Sequence, residues 1–282
     1  MQHSAYQKIL SVGAANRNKL HGVLAGHRDG VGDTVVVILN SGLIHHVGAC
    51  RLSVKLASLL SEKGIASFRF DHSGVGDSAS RPGSEQFLDR AKNEVMEVCD
   101  ALEQRFGVKK FILFGLCSGA NTALYTSVFD SRIVGIAQID PDVFRTPRWY
   151  LQDALSRCRN PLGLLRSIAG KIGFGGRDQK SSDNKTIDDS FDWGESLSRQ
   201  QLAAAYAALI KRKATLFVLS TGKRTELYNY ERQFIDVFST VDFGSQLTYL
   251  YLPDAEHILP ERHSQQLALA EISAWMRASV FD

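Results

Sequence analysis

The chain has 282 residues, 44% of them hydrophobic and 22% charged, with a formal net charge of +3. That supplies apolar material for one large core, and too little positive charge to argue for nucleic acid as a partner. Four widely spaced cysteines (Cys50, Cys99, Cys117, Cys158) form neither a C-x-x-C pair nor a zinc-like cluster with histidine. No run of some 18 apolar residues could span a bilayer, and the first residues, MQHSAYQKILSVGAANRNKL, lack the apolar stretch of a secretory signal. A soluble, cytoplasmic protein with reduced thiols is expected.

Residues 8–26 read as an antiparallel hairpin at a sheet edge. Short apolar runs at 34–40, 65–71, 109–115, 133–140, 214–220 and 247–253 read as strands. Their near-continuous Val, Ile, Leu and Phe content predicts burial on both faces, as in a parallel sheet. Amphipathic stretches at 50–64, 87–107, 119–129 and 262–278 read as helices between and after them. Such alternation predicts an α/β fold with right-handed crossovers. Residues 142–200 break the rhythm: they hold a helical piece at 150–157 and then a polar Gly/Ser/Asp-rich stretch at 173–196. We read them as a lid inserted between two strands, leaving 1–141 and 201–282 as the core.

The stretch 111-FILFGLCSGANTAL-124 runs from a strand into a helix through Gly-Leu-Cys-Ser-Gly. A nucleophile held at such a turn needs small neighbours two residues to either side. Cys117 has Gly115 and Gly119 there, whereas Ser118 would have Leu116 and Ala120. Cys117 is therefore the expected nucleophile, and the Ser118 N–H an expected oxyanion donor at the helix N-terminus. A nucleophilic cysteine needs a base, and His257 follows the last strand and precedes the last helix. The orienting acid should follow the 214–220 strand, where Glu226 stands nearest the expected place; Asp140, ending the 133–140 strand, is the alternative.

The loop 40-NSGLIHHVGACR-51 should carry the second oxyanion donor. Gly42 permits close backbone approach, Leu43 supplies the N–H, and His45 and His46 line the pocket mouth. Two adjacent histidines without a third ligand do not argue for a metal. The G-V-G in 69-RFDHSGVGDS-78 lacks the third glycine of a dinucleotide loop and reads as a tight turn. Trp149, Tyr150, Leu151, Leu155 and Leu162 give the lid an apolar side suited to a medium or long acyl group.

The N-S-G loop, F-D-H-S-G-V-G-D-S, the G-L-C-S-G elbow and the late D-A-E-H, in this order, resemble the α/β-hydrolase family. More narrowly, 47-VGACRLSVKLASLLSEKGIASFRFDHSGVGDS-78 looks like bacterial members associated with exosortase systems and acyl-processing gene clusters. The resemblance implies a mostly parallel sheet of about eight strands flanked by helices, a lid, and acyl-group chemistry without cofactor. It also implies Cys117 as nucleophile, His257 as base, and Ser118 and Leu43 as oxyanion donors. Cysteine replaces the commoner serine, as in dienelactone-hydrolase-like and polyhydroxyalkanoate-synthase-like members.

The expected activity is hydrolysis of an ester or thioester through an acyl-cysteine. An acyl-cysteine is itself a thioester, so transfer to an amine, alcohol or thiol is the alternative activity. A non-catalytic ligand-binding or scaffold protein is the alternative of another class. Lid arginines Arg145, Arg148, Arg157, Arg159 and Arg166 would suit the phosphates of acyl-CoA or an acyl carrier protein.

Overall fold

A computed structural model describes residues 6–13, 18–26, 30–159 and 197–281. Eight strands form one sheet: β1 (Tyr6–Val12), β2 (Leu20–Gly26), β3 (Thr34–Ile38), β4 (Ala66–Phe70), β5 (Lys110–Leu116), β6 (Ile133–Ile139), β7 (Thr215–Thr221) and β8 (Leu247–Leu252). Their order is β1-β2-β4-β3-β5-β6-β7-β8. The hairpin of β1 and β2 pairs antiparallel onto β4, and every pairing from β4 to β8 is parallel.

The apolar runs are continuous because both faces are covered. Along β3, Val35 and Val37 enter one core while Val36 and Ile38 enter the other. The same alternation divides Phe111 and Leu113 from Ile112 and Phe114 on β5, as a period of two requires. The first core is closed by α2 (Phe87–Phe106), α3 (Ser118–Phe129) and α5 (Arg199–Lys211). The second is closed by α1 (Leu52–Glu62) and α7 (Arg262–Phe281). A short helix, α6 (Gln233–Val237), adds Phe234 and Val237 to the first core.

Two elements differ from the sequence reading. Helix α1 starts at Leu52, later than expected, because Cys50 and Arg51 have φ of 48° and 62°. Helix α5 had no counterpart in the sequence reading and starts inside the stretch assigned to the lid. Its Ser198/Gln201 capping box fixes the start. Leu202, Tyr206 and Leu209 then bind it to the sheet, and the Tyr206 hydroxyl donates to Gln138 Oε1 at 3.0 Å. Of the expected lid, α4 (Pro147–Arg159) is described. Residues 160–196, including Leu162, Arg166 and the polar stretch, lie outside the described residues.

Candidate active site

The parallel strands all end at one edge of the sheet, and the predicted residues gather there. Cys117 joins β5 to α3 at φ 55°, ψ −121°, a conformation that costs an L-residue energy and turns the chain sharply. The turn closes only around two glycines. A Cβ on Gly115 would lie 2.1 Å from the Gly119 carbonyl carbon, and one on Gly119 would lie 2.4 Å from the Asn40 carbonyl oxygen. Cys117 thus occupies the tip, and Ser118 begins the helix.

His257 sits in the loop after β8. Its Nδ1 lies 2.6 Å from Asp140 Oδ2, and its imidazole is near enough to the Cys117 thiol to lower that thiol's pKa. Both Asp140 oxygens are engaged from β7: the Thr221 N–H donates to Oδ1 at 2.7 Å and the Thr221 hydroxyl to Oδ2 at 2.6 Å. Asp140 is buried, with a φ of 46° at the end of β6 that turns its carboxylate toward the histidine. This network assigns the Nδ1 proton to the Asp140 side and turns Nε2 toward the thiol.

The electrostatics favour a charged pair. Burial pushes the Cys117 thiol up, but the hydrogen bond and charge of His257, together with the Arg224 guanidinium, bring it below its ordinary value. Burial pulls His257 down, yet its hydrogen bonds to Asp140 and Cys117 lift it to about 9. Both shifts run in the direction that favours a proton on the imidazole over one on the sulfur.

Glu226, the first-choice acid in the sequence reading, does not stand beside His257. Its side chain is 62% exposed, with Oε1 3.5 Å from Arg224 Nε. The carboxylate against the base is Asp140, one strand earlier in the sheet. The loop after β7 instead brings a cation that the sequence reading passed over. Arg224 Nη1 lies 3.9 Å from Cys117 Sγ, and 3.4 and 3.2 Å from His257 Nδ1 and Nε2. An atom nearly equidistant from both ring nitrogens cannot lie in the ring plane without overlapping Cε1, so the guanidinium rests on the imidazole face. The signal was Lys223-Arg224 standing where an acid was expected.

Gly42, with φ 56°, bends the loop after β3 over the elbow. Its N–H donates to Ser118 Oγ at 2.7 Å, tying that loop to the first turn of α3. The Gly42 amide is thereby engaged, while the Ser118 and Leu43 N–H groups have no partner among the described residues.

His46 is buried and does not line a pocket mouth. Asp71 draws it under the loop: its N–H donates to Asp71 Oδ1 at 2.6 Å and its Nδ1 lies 2.7 Å from Oδ2. Asn40 Nδ2 and the Asp77 N–H also donate to Asp71, at 2.9 and 3.0 Å. Burial raises the Asp71 carboxyl, but these donors, His46 foremost, hold it below its usual range. His45 stands at the rim, 3.2 Å from Asp77 Oδ2.

One ligand atom from each of His45, His46, Asp71 and Asp77 falls within 4.8 Å of the others, so the third partner missed in the sequence comes from the β4 loop. Both Asp71 oxygens already accept from protein donors, which makes the cluster a clamp on the loop after β3. The G-V-G turn serves the same clamp, since a Cβ on Gly76 would lie 2.3 Å from Asp71 Oδ2. Trp149 is buried under Arg145, whose guanidinium lies 4.4 Å from its ring, and it meets Tyr150 edge-on. Among the described residues it has no polar contact with Cys117 or His257.

Residues 33–165 match the family described as serine aminopeptidase, S33. No curated protein matches the chain in sequence. Among solved structures, an esterase from Pyrococcus furiosus is similar at 13% identity and a TM-score of 0.66, covering 97% of this chain and 91% of that one. A dienelactone hydrolase from Anabaena variabilis is similar at 13% identity and a TM-score of 0.60, covering 98% and 99%. A cold-adapted esterase from an Arctic intertidal metagenomic library is similar at 13% identity and a TM-score of 0.58, covering 99% and 96%. The chain has the α/β-hydrolase fold: a mostly parallel eight-stranded sheet, flanked by helices. No helix among the described residues is long and apolar enough to cross a membrane.

Proposed function

We propose that the protein is a cysteine-dependent acyl hydrolase acting on esters or thioesters. Cys117 is its nucleophile, His257 its base and Asp140 the carboxylate that orients the base. The observation that carries this reading is the contiguous line from the strained elbow thiol through His257 to buried Asp140, 2.6 Å from the imidazole. In chain order the three stand as nucleophile, acid, base. Structural relatives named as esterases and a dienelactone hydrolase support the reaction class.

The Cys117 thiolate adds to the acyl carbonyl, forming the sulfur–carbon bond. The oxyanion is received by the N–H groups of Ser118 and Leu43. Collapse breaks the bond to the leaving alcohol or thiol, and His257 Nε2 delivers the proton that group needs. Water then adds to the acyl-cysteine while His257 takes its proton. Release of the carboxylic acid returns the thiolate and imidazolium.

Intact-protein mass spectrometry after incubation with a panel of acyl thioesters tests this. Wild type should gain the mass of one acyl group, Cys117→Ala should gain none, and His257→Ala should gain it far more slowly. Decay of the adduct in water identifies a hydrolase; decay only on adding an amine, alcohol or thiol identifies a transferase. A wild type that takes up no acyl group and turns over no ester would defeat the proposal.

A further inference from the structure

Arg224 is a cation placed against the reacting atoms, and among the described residues its one carboxylate partner is the exposed Glu226. Its Nη1 is used twice, toward the thiol and over the imidazole face, and its Nε meets Glu226 at 3.5 Å. That carboxylate is mostly exposed, so solvent screens the pair and an incoming anion can displace it. Its neighbour Lys223 is engaged elsewhere, by Glu261 at 2.9 Å and Glu256 at 3.7 Å. The backbone fixes where Arg224 points: the Lys223 N–H donates to the Ala255 carbonyl, and the Arg224 carbonyl accepts from Leu227 and Tyr228. An open cleft of about 510 Å³ leads here, lined among the described residues by Lys223, Arg224, Glu226, Glu256 and His257.

The guanidinium does not serve the proton relay well by itself. It favours the thiolate, but it also opposes the imidazolium that must form beside it. An anion bound to Arg224 removes that opposition while leaving the His257–Asp140 contact in place.

We propose that Arg224 receives a carboxylate carried on the acyl group of the substrate, so that the site selects short acyl donors with a terminal carboxylate. The inference rests on the acyl-cysteine reading above and names its substrate class. Distance sets the acyl length. A carboxylate accepts from a guanidinium at about 2.8 Å, and the attacked carbon ends one bond from Sγ, itself 3.9 Å from Nη1. Two carbonyl-type carbons about three bonds apart, as in a succinyl group, fall within that reach. The phosphates of a coenzyme A carrier lie a whole pantetheine arm from the scissile bond and do not fit this position. Bidentate geometry favours carboxylate, which matches the planar fork of arginine.

The test compares N-acetylcysteamine thioesters of succinate and of pentanoate, near in size and differing in charge. Cys117→Ala provides the correction for spontaneous acylation. Wild type should acylate faster with succinyl than with pentanoyl. That ratio should fall about 10- to 100-fold in Arg224→Gln, the range of a lost charge-assisted contact. Arg224→Lys should keep part of it, and Arg224→Glu should invert it. Thermal melting of each variant separates a lost contact from lost folding.

A wild type that prefers pentanoyl, or a ratio unmoved by Arg224→Gln, overturns the inference and leaves the parent reading intact. Acylation by neither thioester, with Cys117 still open to iodoacetamide, overturns the inference, and the parent reading then falls only if the wider panel of esters and thioesters fails as well.

Discussion

At the scale of single residues, the thiol and imidazole shifts set the pH behaviour. The Cys117 thiol lies below its ordinary value, so the thiolate persists as pH falls below the free-thiol range of about 8.5 and is lost only at the depressed value. Alkylation by iodoacetamide at pH 7 should therefore be faster than that of an ordinary free thiol. In His257→Ala the rising limb should move up toward the free-thiol range. His257 titrates near 9, and above that pH it no longer carries the proton the leaving group needs, so steady-state turnover should decline through that region. A stopped-flow pH series checks both limbs.

The acid divides the same way. Asp140→Asn should slow acylation about 10²- to 10⁴-fold, the range of lost general acid–base function. Glu226→Gln should change it at least an order of magnitude less, because its carboxylate has no contact with His257. Comparable losses from the two variants would count against Asp140 as the orienting acid.

At the scale of elements, the elbow depends on close backbone contact. Gly115→Ala forces a Cβ to 2.1 Å from the Gly119 backbone, with no flexible side chain there to yield. Overpacking of this kind costs about 1–3 kcal/mol, readable as a lower denaturant midpoint. Ser118→Ala removes the acceptor for the Gly42 N–H and frees the loop after β3. Stability should drop by about 1 kcal/mol, and acylation should slow because the Leu43 amide loses its anchor. Undiminished acylation in Ser118→Ala would argue against Leu43 as an oxyanion donor.

The elements also explain what could be read from the chain. Strands β3 to β7 were legible because both-face burial writes itself as unbroken apolar runs, and the elbow because only glycine fits two residues either side of Cys117. Asp140 was ambiguous: its approach to His257 depends on a backbone φ of 46° and on Thr221, which no local pattern announces. Helix α5 escaped because its alanine-rich sequence has no sharp polar face and follows a polar stretch that suggested a later boundary.

At the scale of the molecule, two cores press on one sheet, and the site lies along the edge where its parallel strands end. Helix α5 should matter to the whole fold although it touches no reacting group. Leu209 is fully buried on it, and Leu209→Ala should cost about 2–5 kcal/mol and lower the melting temperature of the entire chain in one transition. A separate early transition would mean that α5 belongs to an independent unit.

Asp140 hangs from β6 and is gripped by the last residue of β7, while His257 follows β8. Three neighbouring strands therefore stitch the proposed relay together, and the loop after β7 carries none of its proton-handling groups. Changes there leave the His257–Asp140 contact in place, although Arg224 itself helps to lower the thiol. For the engineer it is a cassette in a fixed frame: Gly222 must stay, because a Cβ there would lie 2.4 Å from the Pro253 carbonyl oxygen, while residues 224–226 are where preference among substrates would be rewritten under the proposed reading. For selection, if the proposed acyl chemistry holds, it is a stretch where a failed trial costs recognition and part of the thiol's activation while Asp140 and His257 stay together.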